Sequence, residues 1–531
     1  MRTRLAFFLL VTMMFVPTIH LRRDTYGSVS SLEGRDESWR SLTDLGLMFA
    51  TAWYLDNPIR TRFILQMNPT SVEQGNWKMA YASYPPAFVA PVYLASLILR
   101  RPPTIELLMN ISLIAHLILA LILGLITIEL IETAGGTAGQ GLLLGVTASA
   151  MILYLPAPLL YFQNVWWPDS AGLPCFAAVL YLERNRKYPK TQLAILLLGC
   201  LTDWLNLILG AVIVAKRLLL KDDRGRRAST LPMLAVMSLF VAFMAWYENL
   251  HSSFQEIYNK LSQRSGALRE SGSTWSDFVA GYWGRTFPSH YGIIGLVVLM
   301  IITLASLFYI IARSRKRIAS SAAFKLLFLA IVPMLLHATL LKQHYYHHPY
   351  NNLKFAIPFS LLPAALFVLL KPLFRRRSLC LALAAGGPAL LLFLLFPIFE
   401  IRNQLNGNLP PEVIASGLFL RHNTDYRDIV FSSDQPIDPK TPAYRTRSEF
   451  LAVSYKYVWL ATDISAIQAS VRKLYLRRVL PAAHRLSVFG FRSNEKQLLY
   501  WKKFASAPEI FSADGNYYLI PLDPKFYLPF N

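Results

Sequence analysis

Repeated apolar stretches constrain this sequence more than any other feature. A helix needs about 17–25 predominantly apolar residues to cross the hydrocarbon core of a bilayer. Stretches of this kind recur from the amino terminus to residue 399, although several are short. We predict eleven transmembrane helices, at 5–20, 105–131, 141–162, 170–182, 191–203, 205–219, 229–247, 291–312, 322–341, 353–370 and 378–399. The fold class is therefore a polytopic α-helical membrane protein.

Composition agrees with this class, since only 16% of the residues are charged, against about 25% in soluble proteins. The net charge of +22 would indicate nucleic acid in a soluble protein, but here the basic residues gather in alternate loops. These loops lie at 184–190, 216–227, 313–317 and 371–377. The positive-inside rule places them in the cytoplasm with the amino terminus, so no nucleic-acid partner is predicted.

This orientation leaves four segments on the extracytoplasmic side of a prokaryotic plasma membrane: 21–104, 248–290, 342–352 and 400–531. It requires that the apolar stretch 86–99 does not cross. We interpret that stretch as an interfacial helix opened by Pro85 and Pro86. Arg100 and Arg101, which follow it, favour a crossing instead.

Two domains are predicted. Residues 1–399 form the transmembrane module, with the interfacial helices in its first loop, 21–104. Residues 400–531 form a small extracytoplasmic α/β domain, because apolar runs typical of strands flank a helical run. The strands are expected at 428–432, 457–461, 485–489 and 517–520, and the helix at 464–480. Cys175, Cys200 and Cys380 lie in apolar stretches, so no disulfide framework is implied.

The first extracytoplasmic segment carries a carboxylate pair, Asp36 and Glu37. Such a pair at a bilayer surface can supply a general base when neighbouring groups orient one member. Alternatively, Asp36 caps the helix that starts near Ser38 and Glu37 is solvated. The residues alone favour the capping interpretation.

Together with an amphipathic run to Leu55 and the following Tyr84-Pro85-Pro86 segment, this pair resembles the GT-C superfamily of membrane glycosyltransferases. The nearest branch is that of the protein O-mannosyltransferases and aminoarabinose transferases. Those enzymes move a sugar from a polyprenyl phosphate to an acceptor on the extracytoplasmic side. The resemblance implies that Asp36 is the catalytic base with Glu37 beside it, and that Tyr84 lies at the substrate. Ser83 stands where the aminoarabinose branch has a metal-binding Glu, so a divalent metal is left open but is not predicted.

A second matching segment runs from Trp166 to Leu173. It resembles the family's Asp-Ala-Leu-Leu segment, which implies that Asp169 acts near the sugar and that Trp167 lines the substrate site. Asp169 can equally cap a helix amino terminus. Asp203, where the family often has Lys, is given substrate contact and turn capping with equal weight.

The third match lies between Lys342 and Pro363 and resembles a basic-aromatic segment that binds the lipid phosphate. It implies this role for Lys354, helped by neighbouring histidines, namely His344, His347 and His348. Alternatively, Lys354 is a snorkelling interfacial anchor. The histidine spacing matches no strong zinc template. In the loop 248–290, Arg285 and Arg269 are further candidates for phosphate contact.

The leading hypothesis is an inverting glycosyltransferase that uses a polyprenyl-phosphate sugar and an acceptor glycan, lipid or protein. The prenyl tail of this donor would lie among the transmembrane helices and the membrane lipids. The alternatives are a transporter or flippase of lipid-linked or amphiphilic substrates, and an inactive relative that binds partners through 400–531. No internal repeat is evident, although many transporters are built from repeats, and the acidic residues gather on one side of the membrane.

Overall fold

The computed structural model describes most of the helical part of the chain and much of its carboxy-terminal part. The described residues are 2–21, 37–65, 81, 84–164, 166–185, 188–219, 230–251, 262, 265, 274–311, 322–371, 377–378, 380–384, 386, 411–424, 428–432, 459–461, 463–469 and 485–526.

Helices dominate up to residue 371. They are α1 (Arg2–Leu21), α2 (Glu37–Asp56), α3 (Ala90–Leu99), α4 (Ile105–Thr133), α5 (Ala138–Tyr154), α6 (Pro156–Asn164), α7 (Pro168–Ala171), α8 (Leu173–Arg184), α9 (Pro189–Cys200), α10 (Trp204–Leu219), α11 (Thr230–His251), α12 (Trp275–Phe278), α13 (Phe287–Ile311), α14 (Ala322–Leu340), α15 (Lys342–His347) and α16 (Ala356–Leu370). Two 3₁₀ segments, Pro86–Val89 and Pro349–Phe355, precede α3 and α16, and a π-helical segment, Val279–Thr286, precedes α13.

Among the described residues, five helices are long and apolar enough to cross a membrane by themselves. They cover Ile105–Thr133, Thr230–Tyr247, Trp275–Leu304, Ala322–Leu340 and Tyr350–Leu370. The protein is thus a helical membrane protein, but the predicted count of eleven spans is not confirmed. Part of the difference arises because α8, α9 and α10 have only 12, 12 and 16 residues, fewer than a span needs. The apolar stretch Thr3–Ile19 of α1 is also among the shorter apolar helices. Most of the predicted span 378–399 lies outside the described residues.

Glycines bring α1, α4 and α5 into close contact. A Cβ on Gly124 of α4 would lie 2.3 Å from Cζ of Phe7 and 2.4 Å from Oγ of Ser149, and one on Gly145 of α5 would lie 2.6 Å from Cγ1 of Ile128. Small residues at such crossings let helix backbones approach in a membrane, where packing replaces the hydrophobic effect as the driving force. These close contacts hold α1, α4 and α5 together as one packed group.

A sharp break separates α5 from α6. The two helices are bent by 59° to one another across Leu155, because Pro156 has no N–H to continue the ladder. Together they are long and apolar enough for one broken span or for a re-entrant loop, so the predicted span 141–162 stays a prediction. The bend turns α6 toward the segments that hold the polar side chains described below.

The short helices α8, α9 and α10 are held together at both ends. The α7–α8 junction contains Gly172, where a Cβ would lie only 2.7 Å from Cβ of Asp203, in the turn between α9 and α10. At the other end of this helix group, Glu183 accepts hydrogen bonds from Lys216, Arg217 and Gln192, all of them buried. The two anchor points fix α8, α9 and α10 against one another.

The carboxy-terminal residues form a five-stranded mixed sheet with the order β2-β1-β3-β5-β4. Its elements are α17 (Pro411–Asn423), β1 (Ile429–Ser432), β2 (Trp459–Leu460), β3 (Leu486–Phe491), α18 (Glu495–Lys502), β4 (Ile510–Phe511) and β5 (Tyr517–Pro521). Strand β1 pairs in parallel with β2 and β3, and β5 pairs antiparallel with β3 and β4. The four predicted strands coincide with β1, β2, β3 and β5. Of the predicted helix 464–480, residues 464–469 are helical and the remainder lies outside the described residues.

Candidate functional site

Lys354 lies at the centre of a buried polar cluster. Its Nζ donates a hydrogen bond to Oδ1 of Asp169 and another, of 3.0 Å, to Oδ1 of Asn351. The same atom lies 3.4 Å from Nδ1 of His337 and 3.9 Å from Oδ2 of Asp203. An ammonium group has three N–H donors. Acceptors of the protein therefore surround every donor of Lys354.

Irregular backbone brings these groups together. Lys354 is carried by the 3₁₀ segment Pro349–Phe355, and Asp169 by the first turn of α7. Asp203 lies in the turn between α9 and α10, where its Oδ1 accepts a hydrogen bond of 3.3 Å from the N–H of Leu205. Non-helical backbone within a membrane protein is tolerated where protein surrounds it. The cluster thus lies where the 3₁₀ segment, the four-residue helix α7 and the turn between α9 and α10 meet.

The cluster contains one ammonium group, that of Lys354, and two carboxyl groups, those of Asp169 and Asp203. The side chains of Lys354, Asp169 and Asp203 are at most 1% exposed. Within the described part of the chain, Oδ2 of Asp169 and Oδ2 of Asp203 have no hydrogen-bond partner. Removing one partner of a buried ion pair typically destabilises a protein by about 3–5 kcal/mol, because the remaining charge is uncompensated. The single ammonium therefore holds two carboxylates in place.

His344 extends the cluster toward Tyr84, in the segment before α3. Its Nε2 lies 3.9 Å from Oδ2 of Asp169 and 2.7 Å from the hydroxyl of Tyr84. Tyr84 is fully buried, so its hydroxyl needs a partner of this kind. The predicted residues Tyr84, Asp169, Asp203, His344 and Lys354, which come from four separate segments, are thus brought into one cluster.

Aromatic rings form a wall beside the cluster. The ring of Trp167 contacts those of Tyr81, Tyr84 and Phe88, with centroids 5.4, 6.1 and 5.3 Å away. Tyr81 and Tyr84 are stacked with an angle of 13° between their planes. Trp167 is only 1% exposed, so it packs the wall in this conformation. Its predicted substrate contact remains a prediction.

A second buried network adjoins the first and was missed in the sequence. Its centre is Asn352, which accepts a hydrogen bond of 2.6 Å from the hydroxyl of Tyr282 and has Nδ2 2.9 Å from Nδ1 of His290. Nε2 of His290 lies 2.6 Å from the hydroxyl of Tyr161 on α6. The network therefore joins the π-helical segment, α13 and α6 to the 3₁₀ segment that carries Lys354.

The other predicted residues are not in the cluster or cannot be placed. Asp36 lies outside the described residues, as does Arg269, and Glu37 begins α2 but its side chain is not among those described. The side chain of His347 is likewise outside them. His348 is half-buried, with its ring 4.8 Å from that of His344. Arg285 is exposed on the π-helical segment.

A divalent metal is not accommodated by the described side chains. No group of three or more His, Cys, Asp or Glu side chains that could hold a metal occurs in this part of the chain, which does not include Asp36 or the Glu37 side chain. The acidic oxygens that do converge, those of Asp169 and Asp203, converge on Nζ of Lys354.

Solved structures resemble this arrangement of helices and sheet over nearly the whole chain. The oligosaccharyltransferase AglB of Archaeoglobus fulgidus, in complex with an inhibitory peptide and a dolichol-phosphate, matches with a TM-score of 0.53 and 13% identity, covering 99% of this chain and 75% of that one. A crystal structure of the Archaeoglobus fulgidus oligosaccharyltransferase in complex with Zn and sulfate matches with a TM-score of 0.52 and 13% identity, covering 98% of this chain and 74% of that one. The chain has a GT-C fold.

ArnT from Cupriavidus metallidurans, in the apo state, is a further neighbour with 11% identity and a TM-score of 0.48, covering 96% of this chain and 99% of that one. No protein-family profile and no curated protein match the sequence. The predicted resemblance to the GT-C superfamily is confirmed at the level of the fold. At these identities the likeness establishes the GT-C fold and leaves the activity to be inferred.

Proposed function

We propose that this protein is a membrane glycosyltransferase that takes a sugar from a polyprenyl-phosphate donor and transfers it to an acceptor glycan, lipid or protein. The observation that carries the proposal is the GT-C fold, which extends over 99% of the chain when matched to an enzyme solved with a peptide and dolichol-phosphate. The buried cluster around Lys354 adds to it, because three segments that resemble GT-C motifs converge there.

Asp36 is the proposed catalytic base. It would accept the proton of the acceptor hydroxyl while that oxygen attacks the anomeric carbon from the face opposite the phosphate, which inverts the configuration. A general base contributes typically about 10²–10⁴-fold to the rate. This assignment rests on the Asp36-Glu37 pair in the sequence and on the motif that it resembles. Glu37 is proposed to lie beside the base, and Asp169 to support the sugar site through the cluster.

Negative charge develops on the phosphate as the sugar departs, and preorganised cations stabilise such charge. Every donor of Lys354 faces a protein acceptor. A direct contact of Lys354 with phosphate would therefore require Asp169 or Asn351 to give up its hydrogen bond. The exposed guanidinium of Arg285 and the imidazole of His348 are better placed, in this conformation, to meet a phosphate from outside the protein.

The proposed orientation follows from charge. Lys216 and Arg217 at the end of α10, Arg184 at the end of α8 and Lys371 after α16 belong to the basic loops, and we assign these ends to the cytoplasm. The site and residues 400–531 then lie on the extracytoplasmic face of the plasma membrane, with eleven spans in total.

The test is donor binding and sugar transfer by the full-length protein in lipid nanodiscs, supplied with polyprenyl-phosphate sugars and an extract of candidate acceptors. Wild type should bind and consume the donor, and Asp36→Asn should bind it equally while transfer falls by about 10²–10⁴-fold. Glu106→Gln is the matched control, since Glu106 is an exposed acid in the first turn of α4, and it should transfer normally.

Two results would contradict the proposal. If neither protein binds a prenyl phosphate, the donor assignment is wrong and vesicle transport assays become the next step. If Asp36→Asn transfers sugar at the wild-type rate, Asp36 is not the base.

A further inference from the structure

The cluster around Lys354 contains the oxygen ligands that are typical of a divalent-cation site. Oδ1 of Asp169, Oδ2 of Asp203 and Oδ1 of Asn351 converge on one point. Carboxylate and amide oxygens suit Mg²⁺, Ca²⁺ and Mn²⁺. Three such oxygens, enclosed by protein, would ordinarily indicate a binding site for one of these ions.

That point is filled by an ammonium group of the chain itself. Nζ of Lys354 is fully buried, and it donates to Asp169 and Asn351. A nitrogen at hydrogen-bond distance leaves no volume for an ion, which would require these oxygens at about 2.0–2.6 Å. The described residues therefore do not fit a divalent metal here, although the archaeal oligosaccharyltransferase was solved with Zn.

The unused acceptors show how strongly the cluster depends on that ammonium. The Oδ2 atoms of both Asp169 and Asp203 are buried and lack hydrogen-bond partners within the described part of the chain. If Lys354 were shortened, two buried carboxylates would face an empty space without a counter-charge. A buried charge in that condition either takes up a proton or binds a cation.

We propose that Lys354 is a resident cation, which occupies the position that a divalent ion would take among Asp169, Asp203 and Asn351. Its role is then that of a positioning residue: its ammonium, which is part of the chain and cannot exchange, holds the two aspartates through ion pairs. The inference does not depend on the glycosyltransferase proposal, since it concerns only what holds this cluster together.

The experiment removes the lysine ammonium by substitution and measures whether a divalent cation binds in its place. Full-length Lys354→Ala in lipid nanodiscs is titrated with Mn²⁺, and free Mn²⁺ is followed by electron paramagnetic resonance beside wild type. Lys354→Ala should bind about one more equivalent than wild type, because a single ion is coordinated by such an oxygen set. Its midpoint of thermal unfolding should rise on addition of Mn²⁺.

Asp203→Asn combined with Lys354→Ala is the matched control, because it keeps the empty volume and removes one carboxylate. The extra equivalent should be lost in this double variant. No additional Mn²⁺ bound by folded Lys354→Ala, or an additional equivalent retained by the double variant, would overturn the proposal.

A measurement on wild type decides the matter if Lys354→Ala does not fold. The unfolding midpoints of wild type and Asp203→Asn are compared after treatment with EDTA and after return of Mn²⁺. A resident lysine predicts the same response in both proteins. A response of wild type that Asp203→Asn abolishes would show that the cluster holds an exchangeable metal, and the proposal would be wrong.

Discussion

The hydroxyl of Tyr84 lies 2.7 Å from Nε2 of His344, although the two residues are 260 positions apart in the chain. This contact joins the segment before α3 to α15. Through Asp169, 3.9 Å from the same nitrogen, it also joins both to Lys354. The contact thus links the segment before α3 to the buried ion cluster.

Tyr84→Phe keeps the aromatic wall and removes this link. We expect a loss of stability of about 1–3 kcal/mol, because the buried hydrogen bond between the Tyr84 hydroxyl and His344 is lost. The measurement is the thermal unfolding midpoint of the detergent-purified protein. Tyr93→Phe is the control, since the ring of Tyr93 contacts Trp53 and no hydrogen bond of its hydroxyl occurs among the described residues. Equal midpoints for the two variants would show that the Tyr84 hydroxyl contributes nothing.

Asp169 and Lys354 should behave as a coupled pair. Asp169→Asn and Lys354→Met should each destabilise the protein by about 3–5 kcal/mol, because each leaves a buried charge or polar group unmatched. The double variant should lose less than the sum of the two. Denaturant unfolding of the four proteins in the cycle measures this coupling energy.

Arg4→Gln provides the reference for that cycle. Arg4 and Glu129 form an ion pair of 3.4 Å, but the Arg4 side chain is 55% exposed, so its loss should change stability by less than about 1 kcal/mol. Strict additivity of the Asp169 and Lys354 substitutions would mean that the two groups do not interact in solution.

Gly172→Ala should disturb Asp203 without changing any charge. The new Cβ would lie 2.7 Å from Cβ of Asp203 and 3.1 Å from the carbonyl oxygen of Pro168. Neither atom is the end of a flexible side chain, so backbone must shift, at about 1–3 kcal/mol for overpacking of this kind. The unfolding midpoint should fall accordingly.

Gly139→Ala is the matched substitution. Its Cβ would meet only Oγ1 of Thr137, at 4.0 Å, and alanine favours the helical conformation of α5 by up to about 1 kcal/mol over glycine. The midpoint should stay constant or rise. A fall in Gly139→Ala as large as that in Gly172→Ala would remove the steric explanation.

Acid should loosen the edge of the carboxy-terminal sheet. Glu509, directly before β4, accepts a hydrogen bond from Lys502, which holds the pKa of this carboxyl below its usual value of 4.5. The folded pKa is depressed, so the associated stability is fully present above pH 4.5 and is lost as the pH falls through the folded pKa. The effect should be small, because both side chains are partly exposed.

Hydrogen exchange of the peptide that contains β4 measures this effect in the full chain. Glu509→Gln should exchange faster than wild type at pH 6, and the difference should shrink as the pH falls from 6 through the folded pKa of the carboxyl. A constant ratio between the two proteins across this pH range would contradict the assignment.

Much of the fold could be predicted from the sequence because its signals are local. Apolar stretches of membrane length located α4, α11, α13, α14 and α16. The apolar runs at 428–432 and 517–520 located two strands of the sheet. The paired glycines of α4 and α5 were not recognised as contacts, and the chain alone did not show that 141–162 bends at Leu155.

The site was predicted in part because some of its residues lie in segments that resemble known motifs. The pairing of Lys354 with Asp169, 185 positions away, follows only from the packing of the helices. Lys354 was therefore expected at an accessible position and is fully buried. His337 was missed, yet a signal existed: an ionisable residue inside the apolar helix α14 faces a polar partner as a rule. Asn352 and His290 carried no comparable signal.

Helix α13 (Phe287–Ile311) is interrupted at Gly292, and the interruption limits which residues can stand at that position. Gly292 has φ 64° and ψ 176°, a region that is essentially restricted to glycine. A Cβ built there meets nothing within 4 Å. Room for a side chain is therefore present while the backbone conformation forbids one. If all amino acids are tested at position 292, the stability of each variant should depend on how well the residue tolerates this pair of dihedral angles and not on the size of its side chain. At a crowded glycine such as Gly124, size should decide instead.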